Sequence, residues 1–175
     1  MAKRVNSART VDIELPADAP GSMQRVPGLD YGVLDELMGY ALRRAQNALY
    51  LDFYAATEDF GLSPQRFAAL VLIERNPGIR QGLLGQAMGI DRSGALRLVD
   101  WLEARHLAVR EPSAEDARVW GLHLTIPGRR TLAAMEHAVR QHDQALVTAL
   151  GKQGAQLKPL LDALANLAPN TGDQS

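Results

Sequence analysis

The sequence has no cysteine, few aromatics (two Trp, four Tyr and three Phe in 175 residues) and no apolar run near the length of a membrane span. A spanning helix needs roughly 20 apolar residues. Without cysteine there is no disulfide, no thiolate metal site and no thiol nucleophile. Charge of neither sign is in excess: 19 Lys and Arg stand against 20 Asp and Glu. A near-neutral balance argues neither for nor against nucleic acid, so local arrangement has to decide. The first six residues include Lys3 and Arg4 but no apolar stretch follows, so no secretory signal is expected. No phosphate-binding P-loop, dinucleotide fingerprint or nucleophile elbow occurs, and no nucleophile stands beside an evident base. His137 and His142 are five apart, not the three or four that align ligands on one helix face. No catalysis, no metal and no cofactor is expected. With 46% apolar and 22% charged residues, the chain reads as an ordinary soluble, cytoplasmic protein.

What is present is helical periodicity. Residues 1–30 form a tail broken by Pro16, Pro20, Gly21, Pro27 and Gly28. From Val33, Leu34, Leu37, Met38, Ala41, Ala45, Leu49 and Phe53 recur at steps of three and four, predicting one long helix that ends at Gly61. Ser63 and Pro64 then supply a cap and a first helical residue for a second helix, which stops at Asn76-Pro77-Gly78. A short helix from Arg80 to Met88, a turn at Gly89-Ile90 and a helix carrying Ala95, Leu98, Val99 and Leu102 follow, the latter capped by Asp91 or Ser93. That layout is a helix-turn-helix. Leu107–Arg110 and Trp120–Leu124 alternate as two strands around the polar segment 111–118, making a hairpin or wing. Pro127-Gly128 opens a long helix with Leu132, Met135, Val139, His142, Leu146 and Leu150, and a last helix carries Leu157, Leu160, Leu161, Leu164 and Leu167.

The expected fold is mainly α with a small β-hairpin wing. A winged helix-turn-helix lobe spans 61–126, a helical dimerisation region spans 31–60 and 127–168, and residues 169–175 form a second tail. The terminal helices carry more apolar surface than the lobe can cover, and a two-fold homodimer buries it economically. Trp101 and Trp120 are expected to serve core or interface packing.

An α-helix fits the major groove, and the start of the second helix of the motif meets base edges. Here it offers Arg92, Ser93 and Arg97, with Gln81 and Gln86 placed for phosphates. Arg118 at the hairpin tip suits a narrow minor groove, with Asp116 to orient it. Against this, arginines 80, 92, 97, 105, 110 and 118 are balanced by acids 91, 100, 103, 111, 115 and 116. A winged-helix module that binds protein rather than DNA is therefore the competing expectation.

The run Leu102-Glu103-x-x-x-Leu107-x-x-Arg110, then Asp116-Ala117-Arg118, then Leu122-x-Leu124-Thr125-x-x-Gly128 resembles the signature of the MarR family of bacterial transcription regulators. So does Leu62-Ser63-Pro64-Gln65-Arg66-Phe67 at the entry to the second helix. The match covers about 33–167. It implies a triangular homodimer that binds a pseudo-palindrome in double-stranded DNA, usually as a repressor, and is released when a small ligand enters between lobe and helical region. Two departures stand out. Ala117 replaces the usual middle Arg of the wing, and His106 stands where the family has a Gly suited to positive φ. In the resemblance the effector pocket lies between the first two helices, the start of the fifth and the lobe. The first helix supplies Tyr40, Arg43, Arg44, Asn47, Tyr50 and Tyr54, a set suited to pair a carboxylate and stack on a ring. The effector this implies is an aromatic carboxylate or its CoA thioester.

Overall fold

The computed structural model describes residues 21, 23–112 and 118–167. Among these, helix α1 spans Met38–Ala56, α2 Pro64–Arg75, α3 Gln81–Ala87, α4 Arg92–Ala104, α5 Ile126–Ala149 and α6 Gly154–Leu167. Strands β1 (Ala108–Pro112) and β2 (Trp120–Leu124) pair antiparallel, with Ala108 opposite Leu124 and Pro112 opposite Trp120. Ile79 extends this hairpin by a bridge to Leu122, whose N–H donates to the Ile79 carbonyl at 2.9 Å. The fold is mainly helical with a hairpin wing.

Local chemistry explains most boundaries. The Ser63 hydroxyl accepts the Arg66 N–H and Pro64 sits at the first helical position of α2. Asp91 caps α4 by accepting the Gly94 N–H at 2.7 Å. Thr125 caps α5 by accepting the Gly128 N–H at 3.0 Å. Between α3 and α4, Gly89 takes φ +63° and the two helices approach closely at Gly85, where an added Cβ would meet the Ala95 methyl at 3.0 Å.

The expected single helix from Val33 to Gly61 is in fact three pieces, the last a 3₁₀ turn at Glu58–Phe60 after α1 ends at Ala56. A 3₁₀ turn covers Gly32–Asp35, Leu37 is extended, and α1 starts at Met38. Leu34, Leu37 and Met38 are all exposed, so no packing within the chain enforces helix there. Short helical segments without packing are marginal. The described end of the preceding segment lies against α1: Arg44 Nε donates to the Met23 carbonyl and Asn47 Nδ2 to the Gly21 carbonyl, both at 3.3 Å.

The core sits in the lobe and where α5 crosses α2. Leu62, Leu70, Ile73, Leu84, Val99, Leu102, Leu122 and Met135 are fully buried there. The outer helices differ. On α6, Leu157, Leu160, Leu161, Leu164 and Leu167 are exposed, as are Leu49 on α1 and Leu150 after α5. His142 of α5 reaches α1, with Nε2 2.7 Å from Asp52 Oδ2. Trp120, at the strand end, is 55% exposed and so lies outside this chain's own core. Trp101 is half-buried between two arginines.

Candidate nucleic-acid interface

Helix α4 buries Ala95, Leu98, Val99 and Leu102 against the lobe and turns the opposite edge to solvent. Arg92, Ser93 and Arg97 are all exposed on that edge. Ser93 and Arg97 are linked rather than free. Arg97 donates through Nη1 to the Ser93 hydroxyl at 3.2 Å, and that hydroxyl donates to Asp91 Oδ2 at 2.9 Å. The Gly94 N–H first, then the Ser93 hydroxyl and the Arg97 charge hold the Asp91 carboxyl below the usual carboxylate range. The cap that begins the helix thus also fixes the first turn of its exposed edge. Because this acid is depressed, its support is present at neutral pH and lost as pH falls through the acid range.

At the wing, Arg118 is exposed at the foot of β2. Asp116, its expected partner, lies outside the described residues, as does Ala117. Gln81 is not turned wholly to solvent. Its Oε1 accepts from Arg110 Nη2 at 2.9 Å, which leaves its NH₂ as a donor. Gln86, at the far end of α3, is exposed.

The six polar residues of α1 share one side of the helix but do not converge on one cavity. Tyr50 and Tyr54 border a cleft of about 460 Å³ with Ser63, Gln65, Leu72 and Met88, contributed by α2, its cap and the end of α3. Arg44 borders a separate groove of about 650 Å³ with Met23, Gln24 and Asp52. Tyr40 stacks at a tilt on Tyr31, 6.3 Å between ring centres. Arg43 is exposed and Asn47 is hydrogen-bonded to Gly21. The cleft at Tyr50 and Tyr54 is closed by α3 rather than by α5. Between α2 and α5 lies another groove of about 590 Å³, with Phe67, Val139 and Arg140 among its walls.

A MarR family profile matches residues 60–119, the lobe and the first part of the wing. A protein of Thauera aromatica described as a putative transcriptional regulatory protein for the hcr operon is 38% identical over 117 residues, 66% of this chain and 70% of that one. The chain belongs to the MarR family of transcription regulators. Among solved structures, the repressor CouR bound to a 23-mer DNA duplex matches with a TM-score of 0.72 and 38% identity, over 80% of this chain and 98% of that one. CouR bound to p-coumaroyl-CoA matches with a TM-score of 0.72 and 36% identity, over 81% and 99%.

The MarR signature positions have physical roles in this chain that spacing alone did not disclose. Glu103 accepts the Arg110 N–H at 3.0 Å through Oε1 and forms an ion pair with the Arg110 guanidinium through Oε2. Arg110 also reaches Asp100 at 2.8 Å and, as noted, Gln81. One guanidinium therefore ties α3, α4 and β1 together. The partners lie 7, 10 and 29 residues away in sequence, so no helical or strand period connects them. His106 takes φ +55°, the left-handed conformation that a Gly adopts without steric cost. His pays more strain there than Gly, and its backbone carbonyl accepts the Thr125 hydroxyl, which joins this turn to the cap of α5. Among the described residues no group of three or more His, Asp or Glu is placed to hold a metal, and no helix is long and apolar enough to cross a membrane.

Proposed function

We propose that this MarR protein is a repressor that binds a pseudo-palindromic site in double-stranded DNA as a homodimer and leaves it when an aromatic acyl-CoA, or the parent aromatic acid, binds. The observation that carries the reading is the exposed edge of α4. Its opposite face is anchored in the core, and Arg92, Ser93 and Arg97 project from its first two turns. That edge reads bases in the major groove, Gln81 and Arg118 hold flanking backbone and minor groove, and Asp116 orients Arg118. Residues 61–126 act as the DNA-binding lobe; 31–60 and 127–168 act as the dimerisation region, whose exposed leucines on α6 cover each other across the two-fold axis. The protein is a regulator rather than an enzyme, uses no cofactor and works in the cytoplasm, where its DNA lies.

Tyr50 and Tyr54 receive the effector ring in the cleft above α2. Arg43, Arg44, Asn47 and Tyr40 line the route along α1 by which a carboxylate or thioester tail leaves it. The support for a thioester is the likeness to CouR, whose solved complex holds p-coumaroyl-CoA. Titrating a panel of aromatic CoA thioesters and free aromatic acids into the protein–DNA complex tests this. One class of compound lowers DNA affinity by roughly 5- to 150-fold, the usual range of allosteric coupling. A panel that shows no calorimetric heat and leaves DNA affinity unchanged contradicts it.

A further inference from the structure

Trp101, on the flank of α4 that meets α2, lies between two guanidinium groups. The guanidinium carbon of Arg66 stands 3.9 Å from the centre of the indole ring and that of Arg105 stands 3.7 Å from it. Two groups so near one ring centre occupy opposite faces. Arg66 comes from the first turn of α2 and Arg105 is the residue that ends α4. Among the described residues, neither side chain makes a hydrogen bond or an ion pair. The other flank of α4 is different, because Glu103 and Asp100 neutralise Arg110 there.

Stacking engages the face of a guanidinium and leaves its N–H donors, which lie in its plane, open at the edge. Two cations held across one ring also repel each other, and Asp91, which borders the same cleft, is already engaged by the Gly94 N–H and the Ser93 hydroxyl. Both facts favour an anion at the ring edge. Arg97, one turn before Trp101, borders the same cleft of about 450 Å³ as Gln65, Arg66 and Trp101. The stacked pair is therefore continuous with the exposed edge of α4.

Resting on the DNA-binding reading proposed above, we infer that Arg66 and Arg105, stacked on Trp101, clamp a backbone phosphate flanking the groove that α4 enters. Trp101 is the positioning residue of the clamp: it holds both guanidiniums in place without touching the DNA. Phosphate contacts fix register and affinity but carry no base information. The clamp accordingly strengthens binding to all sequences alike.

The test uses the full chain, a duplex selected by it from a random pool, and a random duplex, with binding followed by fluorescence anisotropy across a salt series. Arg66→Gln and Arg105→Gln each make the log-affinity against log-salt slope shallower, and loss of both clamps of the homodimer removes about 1.8, two phosphates at about 0.9 each. Each weakens both duplexes severalfold and leaves the preference between them unchanged. Trp101→Leu produces both losses together, while Trp101→Phe, which still offers a ring, restores most of the slope. If Trp101→Leu fails to fold, the two arginine variants decide alone. Wild-type slopes and affinities in folded Arg66→Gln and Arg105→Gln overturn the clamp and leave the DNA-binding reading standing. Absence of salt-dependent DNA binding by the wild-type chain overturns both. Variants that lose affinity for free coenzyme A while keeping wild-type DNA binding also overturn it, assigning the pair to a small ligand's phosphates.

Discussion

Gly128→Ala destabilises the protein by about 3 kcal/mol, at the upper end of what an overpacked site costs. Gly128 is the third residue of α5, where helix propensity alone favours Ala by about 1 kcal/mol. Contact geometry opposes that preference. A methyl group at this position would lie 1.9 Å from the Leu107 carbonyl oxygen and 2.8 Å from its carbon. The neighbour is backbone, and it is already engaged: the Leu107 oxygen accepts the Thr125 N–H at 3.1 Å. Relief requires the start of α5 to move off the base of the hairpin, which also breaks the Thr125 cap on Gly128. Urea unfolding of the purified variant measures the effect. A variant more stable than wild type by the propensity difference shows that α5 and the hairpin base are not in contact.

Arg97→Ala lowers discrimination between the selected duplex and random DNA by about 1–3 kcal/mol per half-site, roughly 5- to 150-fold for each, the range of one good arginine–base contact. The side chain is held in readiness by Ser93, so the variant loses a partly ordered contact and no core packing. Its melting temperature stays near that of wild type. Binding to random DNA falls far less than binding to the selected site, which separates this residue from those that touch only phosphate. Equal losses on both duplexes assign Arg97 to the backbone instead.

The helices were readable because their signals are local. Ser63 and Asp91 cap the helices they precede, and the stripe Ala95, Leu98, Val99, Leu102 is the buried face of α4. The hairpin strands follow from alternation, and observed β1 runs two residues past Arg110. The start of α1 differs from its periodicity because periodicity registers an apolar face whether or not anything within the chain covers it. Leu34, Leu37 and Met38 have the spacing of a helix and no buried partner. The size of Trp120 signals burial, and its position at the end of β2, opposite Pro112, keeps it out of this chain's own core.

The candidate interface was legible only as far as its first turn. Arg92, Ser93 and Arg97 are neighbours on one helix, so their shared edge follows from the 3.6-residue period. Long-range partners carry no such signal. Arg110 meets Gln81 across the lobe, Arg66 reaches Trp101 from another helix, and Gln65 and Met88 join Tyr50 and Tyr54 only in three dimensions. The local charge balance was also misleading as a sum. Much of the acid counted against DNA binding is used within the protein, Asp91 as a cap and Glu103 and Asp100 on Arg110. Arg66, outside that count, and Arg105 are left without acidic partners among the described residues.

Selection from a random duplex pool by the purified full-length chain, followed by sequencing, addresses DNA reading and two-fold symmetry together. Enrichment of a motif with two-fold symmetry, its half-sites centred roughly one helical turn (about 10 base pairs) apart, is the predicted result for paired α4 helices on one side of the duplex. A pool that returns no enriched motif, or one without symmetry, contradicts the account.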